Sequence, residues 1–285
     1  MSTLFIIIAV ICRIFTNSFS NVFQKQLTNF GENSLKINFI NYLILSIFSI
    51  PIFFFCNLPL YNKEFWLYAI FGGIFGALCN CFMVMALKRG QLSVLAPINS
   101  YKSVVSLIFG IIILGEYPDF KGITGMLLIF FGTFFIFENI KDIFAQDIRY
   151  RFYALFFSAI EAVFIKKVII ISSVPVSFAV SAIFGTIFSF IILNSTKTFD
   201  FKIPNKILIN KYLFLALNFG LMTFTTAFVF KNMNVSYALA LFQLSILLNL
   251  FFGWKIFSEK NLLKKLAGSL IILIGSTMII LTHHI

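Results

Sequence analysis

Three ionisable residues stand where an apolar setting should exclude them. Lys102 lies in "LAPINSYKSVVSLIFGIIILGE" (95–116), Arg13 in "IIIAVICRIFTNSF" (6–19) and Glu161 in "FYALFFSAIEAVFI" (152–165). Charged groups at the centre of a membrane span cost about 2.5–3.5 kcal/mol on insertion scales and face a bundle interior or a wet cavity. An ammonium flanked by amides suits a carboxylate or phosphate. A carboxylate in the same place suits an ammonium or a coupling proton. Helical spacing puts Asn99, Lys102 and Ser106 on one face, with Tyr101 and Ser103 beside them. Pro97, just upstream, removes a backbone donor and frees a carbonyl toward that face.

The elements that carry these residues follow from composition. Of 285 residues, 60% are hydrophobic and 11% charged, and the mean hydropathy is +0.99. This balance describes a polytopic membrane protein. The formal net charge is +12, but the basic residues lie between apolar runs rather than along a stripe, so nucleic acid is not an expected partner. Cys12, Cys56, Cys79 and Cys81 fall in or at the ends of apolar segments and read as packing residues. With both histidines terminal, no metal site or cofactor is expected. The N-terminal "MSTLFIIIAVICRIF" has an arginine inside its apolar run and no small-residue cleavage pattern, so it reads as a first span.

A span needs about 20 mostly apolar residues. Ten such segments are present, at 3–24, 35–56, 65–87, 92–114, 120–138, 150–171, 174–194, 211–231, 235–257 and 263–282. Short connectors such as "NLPLYNKE" (57–64) and "GEYPDF" (115–120) join them. At a fixed offset of 143 residues, Lys88 meets Lys231, Ser93 meets Ser236, Gly110 meets Gly253, and Glu116 meets Glu259. Lys121, Gly125 and Gly132 likewise meet Lys264, Gly268 and Gly275, and a weaker echo links "NVFQK" (21–25) with "AVFIK" (162–166). Matches at Gly, Glu and Lys are costly to place in apolar runs and therefore informative. Five spans per half, an odd number, make the second half enter from the opposite side. The expected fold is an all-α integral membrane protein of ten transmembrane helices in two inverted five-helix repeats, 1–138 and 139–285, with a substrate site between the halves.

The helix-end glutamate followed by a Gly-x6-Gly helix, in "GIIILGEYPDFKGITGMLLIFFG" and "GWKIFSEKNLLKKLAGSLIILIG", resembles the EamA-type transporters of the drug/metabolite transporter superfamily. The resemblance implies a central cavity lined mainly by helices 1, 3, 4, 6, 8 and 9, with helices 5 and 10 peripheral. The second half departs from the first at Ala240, where the first has Pro97, and at Ser258, where it has Gly115. Of 22 basic residues, 15 lie at the connections after helices 1, 3, 5, 7 and 9, Lys25, Arg151 and Lys265 among them, and five on the other side. The positive-inside rule then places both termini outside the cytoplasm, whereas the superfamily is commonly drawn with both inside.

The candidate binding residues are Lys102, Asn99, Tyr101, Glu161, Arg13, Asn17, Asn80, Gln243, Ser245 and Asn249, with Asn218, Thr223 and Thr226 as further polar candidates. Plainer readings stand beside them. Lys102 and Glu161 would form a buried structural pair, Arg13 would snorkel or pair with Glu161, and Gly72, Gly73 and Gly76 would let helices pack closely. Tyr101 would face lipid or cavity equally well. The expected function is secondary transport of a small polar or zwitterionic, amino-acid-like metabolite by alternating access, proton-coupled or by exchange. The alternatives are broad export of amphipathic compounds and a non-transporting scaffold subunit. No Gly-x-Ser-x-Gly, His-Glu-x-x-His or P-loop pattern supports an enzyme. The expected partners are a small-molecule substrate, the lipid bilayer and a second copy of the chain, in a bacterial-type plasma (inner) membrane.

Overall fold

A computed structural model describes residues 3–55, 62–102, 104–105, 120–137, 143–196, 206–233 and 235–282. Among them every regular element is helical: α1 Thr3–Asn29, α2 Ser34–Phe55, α3 Lys63–Arg89, α4 Leu92–Ile98, α5 Phe120–Ile136, α6 Gln146–Ile171, α7 Val174–Ser195, α8 Lys206–Asn232, α9 Val235–Phe242, α10 Ser245–Phe257 and α11 Leu262–Thr282. By length and composition alone, α1, α2, α3, α7 and α8 are apolar enough to cross a membrane. The sixth span, α6, is less apolar because it carries Arg149, Arg151, Glu161, Lys166 and Lys167. Ser103, Ser106, Gly110, Gly115, Glu116 and Cys56 lie outside the described residues.

The two halves pack as a two-fold exchange requires. Helix α3 lies along α6, and its counterpart α8 lies along α1; α2 pairs with α7 and α5 with α11 across the same axis. The protein is therefore an all-α membrane protein of two inverted five-span repeats. The repeated glycines make the α5–α11 crossing. A Cβ at Gly132 would stand 2.7 Å from the Gly268 carbonyl oxygen, and one at Gly275 would stand 2.6 Å from that of Gly125. Small residues at these four points let two backbones touch where lipid offers no hydrophobic drive to hold helices together. Lys25 Nζ donates to Gly90 O at the end of α3 (2.8 Å), and its counterpart Lys166 donates to Phe230 O near the end of α8.

The fourth and ninth spans, expected as continuous helices, are both broken. After α4 the bonds shorten to i→i−3: Asn99 N to Ala96 O, Ser100 N to Pro97 O and Lys102 N to Asn99 O. The ninth span does the same between α9 and α10, through Leu244 N to Leu241 O and Ile246 N to Gln243 O. This is a tightened 3₁₀ turn. It frees Leu95 O, whose ordinary partner Asn99 N has moved on. Pro97 explains the first break; the second occurs without a proline.

The repeated helix-end glutamate has a specific task. Ser258, with φ of 52°, reverses the chain after α10, and Glu259 N reaches back to Gly253 O, a Schellman-type end. The Glu259 carboxylate then accepts from Leu92 N (2.7 Å) and Ser93 N (2.9 Å) and pairs with Lys25 Nζ (2.8 Å). It thus caps α4 of the opposite half. A Cβ at Gly253 would stand 2.5 Å from Glu259 Oε2, so the repeated glycine makes room for the repeated glutamate. Lys265 of α11 reaches the same place, donating to Gln91 Oε1 and to Ser93 Oγ (3.0 Å). Lys25 and Lys265, counted from sequence as connection charges, are buried.

Burial alone would raise the Glu259 carboxyl. Lys25 and the hydrogen bonds from Lys25 and Ser93 outweigh it, and the group sits below its ordinary 4.5. Its stabilising contribution is therefore present above pH 4.5 and lost as pH falls through the lower folded value. Glu259→Gln should cost about 3–5 kcal/mol, the usual effect of leaving a buried charge unpaired. The melting temperature in detergent should fall accordingly at neutral pH, and the gap to wild type should close on acidification. A gap that persists in acid would contradict the assignment.

Candidate functional site

Helix α1 presents Arg13, Asn17, Ser20, Asn21 and Gln24 along one stripe, at the i, i+4, i+7, i+8, i+11 spacing of a single helical face. This stripe lines a cavity of about 180 Å³ between the halves. The other walls come from α3 (Gly76, Cys79, Asn80), the fourth span (Asn99, Lys102), α6 (Arg151, Ser158, Glu161), α8 (Met222, Thr223, Thr226) and the broken ninth span (Phe242, Ser245, Asn249), with Tyr42 from α2. An apolar cavity of about 150 Å³ holds benzene, so this one suits a solute of similar or slightly larger size.

Of the ten expected site residues, eight line the cavity. Gln243 stands behind it, where its Oε1 accepts from Ser100 Oγ (3.2 Å) and Asn99 Nδ2 (3.5 Å). Tyr101 points away. Thr133 spends its proton on Ile129 O, so the Tyr101 hydroxyl donates to Thr133 Oγ1 (2.6 Å), and the ring packs edge-on against Phe130 and Phe152. Asn218 bonds its own helix at Phe214 O, while Thr223 and Thr226 line the cavity.

The amides are largely committed to one another. Asn17 Nδ2 donates to Ser245 Oγ (3.2 Å), and Asn21 Nδ2 donates to Asn249 Oδ1 (3.1 Å). Gln24 Nε2 donates to Asn80 Oδ1 (2.8 Å), and Asn80 Nδ2 to Asn38 Oδ1 (2.7 Å). These bonds tie α1 to α10 on one side and to α3 and α2 on the other. The charged groups keep open valences. Lys102 Nζ donates to Ser158 O (3.1 Å) and Ser158 Oγ (2.9 Å), which uses two of its three protons. Arg13 Nε donates to Thr226 Oγ1 (3.3 Å), and the guanidinium carbon lies 4.3 Å from the centre of the Phe242 ring. Its two terminal amino groups have no hydrogen-bond partner among the described residues.

The expected Lys102–Glu161 and Arg13–Glu161 ion pairs are not formed. Lys102 is drawn instead to Ser158, one turn before Glu161 on α6. The ion pairs among the described residues are Lys25–Glu259 and Lys36–Glu32. Glu161 accepts no hydrogen bond among those residues. Its Oε1 rests against Gly76, 2.7 Å from where a Cβ would stand, with the Tyr42 hydroxyl 3.3 Å from the same point. Gly76 therefore serves the carboxylate, whereas Gly72 and Gly73 serve helix packing against Phe164 and Phe184.

Arg151, counted from sequence among the connection charges, belongs to the cavity wall and is 8% exposed. Its Nε takes the Leu95 carbonyl freed by the break in the fourth span (2.9 Å), Nη1 meets Met83 Sδ (3.2 Å) and Nη2 meets Asn99 Oδ1 (3.0 Å). The spacing of Arg151, Ser158, Glu161 and Ile165 at i, i+7, i+10 and i+14 was the available signal for one inward face. Cys79, read as packing, also lines the cavity. No cluster of three or more metal-ligating side chains occurs among the described residues.

Residues 4–138 match the EamA-like transporter family. The match covers 135 of the 285 residues, the first of the two repeats. The match indicates a membrane transporter of the drug/metabolite type. A solved crystal structure 13% identical in sequence aligns over 97% of this chain and 96% of its own with a TM-score of 0.66, which shows the same fold. No curated protein matches. In this protein, Arg151→Lys should lose the Leu95 and Asn99 bonds together, because an ammonium cannot reproduce the guanidinium fork. The expected cost is about 2–3 kcal/mol, read as a lower melting temperature. An unchanged melting curve would show that Arg151 does not hold the broken span.

Proposed function

We propose that this protein moves a small zwitterionic, amino-acid-like metabolite by alternating access, with Glu161 carrying the coupling proton or the substrate ammonium. The observation that carries this reading is the set of open valences in one small cavity. Lys102 and Arg13 retain unused donors, and Glu161 retains unused acceptors. Buried charges without partners are costly, so a solute bearing both a carboxylate and an ammonium would be stabilised there more than a neutral one. Arg13 offers a planar fork suited to a carboxylate, and Lys102 a point charge. The amides that close on each other do not compete for the solute. They hold α1 against the broken ninth span and so shape the cavity. Movement of one half against the other would open it to either side in turn.

The α8–α9 wall supports a second reading. Met222, Phe219, Phe230, Leu239 and Phe242 line it, and methionine with aromatics favours adaptable binding of amphipathic compounds. Proteoliposomes separate the two readings. With a panel of radiolabelled amino acids and lipophilic cations, the first reading expects uptake of a zwitterion. That uptake should fall about tenfold or more in Lys102→Ala and in Glu161→Gln, the loss expected when a charged hydrogen bond is removed. Uptake of lipophilic cations alone, unaffected by Lys102→Ala, would favour the second reading and defeat the first.

A further inference from the structure

Behind Glu161, on the side away from Lys102, is a second chamber of about 30 Å³, enough for a water, which needs roughly 10–15 Å³ of such space. Tyr42, Glu161, Ser177, Ser181 and Thr223 bring its oxygen atoms, and Gly72, Gly73 and Gly76 form its floor. Tyr42, Gly76, Glu161 and Thr223 also line the main cavity. Glu161 therefore borders two compartments of unlike size. Ser177 is 1% exposed, and its hydroxyl has no hydrogen-bond partner among the described residues. A buried, unpaired hydroxyl is costly enough that such groups are normally met by protein or by ordered water. Thr223 spends its own proton on the Phe219 and Gly220 carbonyls of its helix, which leaves its lone pairs to accept. The remaining walls are apolar: Leu45, Ile165, Phe178, Ala182, Phe219 and Ala227. Glu161 brings the one carboxylate of the lining, and these oxygens can supply the two to four partners that a water needs.

We propose that this chamber holds one ordered water, bonded to Ser177, through which Glu161 exchanges its proton on the side opposite the substrate. The inference rests on the reading of Glu161 as the coupling group. A hydrated proton reaching the chamber gives its proton to the carboxylate: one O–H bond breaks at the water as one forms on Glu161, and neutral water remains. Release runs the same step backwards. Substrate and proton then reach one carboxylate from two sides and compete for it without sharing a path. The titratable groups that act on Glu161 are Tyr42 from α2, Cys79 from α3 and Lys102 from the fourth span. Around the chamber, α7 and α8 contribute the hydroxyls of Ser177, Ser181 and Thr223. Lys102 acts from the cavity side, so the chamber side carries no competing cation.

Infrared spectroscopy of the purified protein tests this without a known substrate. The carboxylic-acid band of Glu161 is assigned by its loss in Glu161→Gln, and its rate of exchange is followed after transfer to D₂O. Ser177→Val, which fills the chamber, should slow that exchange by about tenfold or more, the effect of losing one hydrogen bond to a charged group. Thr226→Val, on the substrate side, should leave it unchanged. Should the valine variant fail to fold, Ser177→Ala removes the hydroxyl alone and should slow the exchange in the same sense. Equal rates in wild type and both Ser177 variants would overturn the proposal, as would equal slowing by Thr226→Val. A sodium-dependent shift of the band that Ser177→Ala abolishes would also overturn it, because the chamber would then take a cation. The coupling reading fails separately if a metabolite that stabilises the wild type displaces no Glu161 proton while the exchange rates behave as stated.

Discussion

Charge held deep in an apolar span must be solvated by the protein itself, and the architecture around the cavity follows from that demand. Hydrocarbon supplies no partner for an ammonium, a guanidinium or a carboxylate. Each must meet oxygen from another helix or face a polar space. Arg151 is solvated by a carbonyl that the fourth span releases as it tightens. Lys102 is solvated by Ser158, on the helix that carries Glu161. The two broken spans and the polar stripe of α1 are thus parts of one arrangement, in which irregular backbone is tolerated because it lines a cavity.

The same demand explains the residues that repeat. Gly253 and Glu259, which repeat, act with Ser258, which does not: a space without a side chain, a carboxylate placed on the first amides of α4 in the other half, and a tight helix end. The carboxylate gathers Lys25 and leaves Lys265 to bond Gln91 and Ser93 nearby. A unit that joins the halves at one end of the bundle has reason to recur in both repeats, since each half closes on the other. The Gly125–Gly275 and Gly132–Gly268 contacts hold α5 and α11 together to the side, where they take no part in the cavity.

Much of this was legible in the residues. The span boundaries lie within a few positions of the helices, because runs of apolar residues and polar punctuation mark them. The offset of 143 carried the two-fold exchange. Pro97 pointed to a freed carbonyl in the fourth span; nothing local marked the break near Gln243, beside which Asn17 and Ser18 of α1 bond Ser245. Mid-span charges drew attention to Arg13, Lys102 and Glu161. Arg151 and Lys25 were harder to place because each lies near a helix end, where a basic residue is ordinarily a connection charge. Their burial depends on carbonyls and a carboxylate supplied from distant parts of the chain. Tyr101 and Gln243 stand off the cavity because each is held by a neighbour, Tyr101 by Thr133 and Gln243 by Asn99 and Ser100. The chamber behind Glu161 has no signature in sequence, since Ser177 is one of several serines and its lack of a partner is a property of the packing.

In the proposed function, the unfilled valences of Lys102, Arg13 and Glu161 select the solute. Thermal stabilisation of the purified protein against a metabolite library tests it most directly, repeated on Lys102→Ala. Zwitterionic metabolites of amino-acid size should raise the melting temperature of the wild type, and Lys102→Ala should abolish the rise. Stabilisation by the same metabolites of equal size in Lys102→Ala, or by uncharged compounds alone, would contradict it.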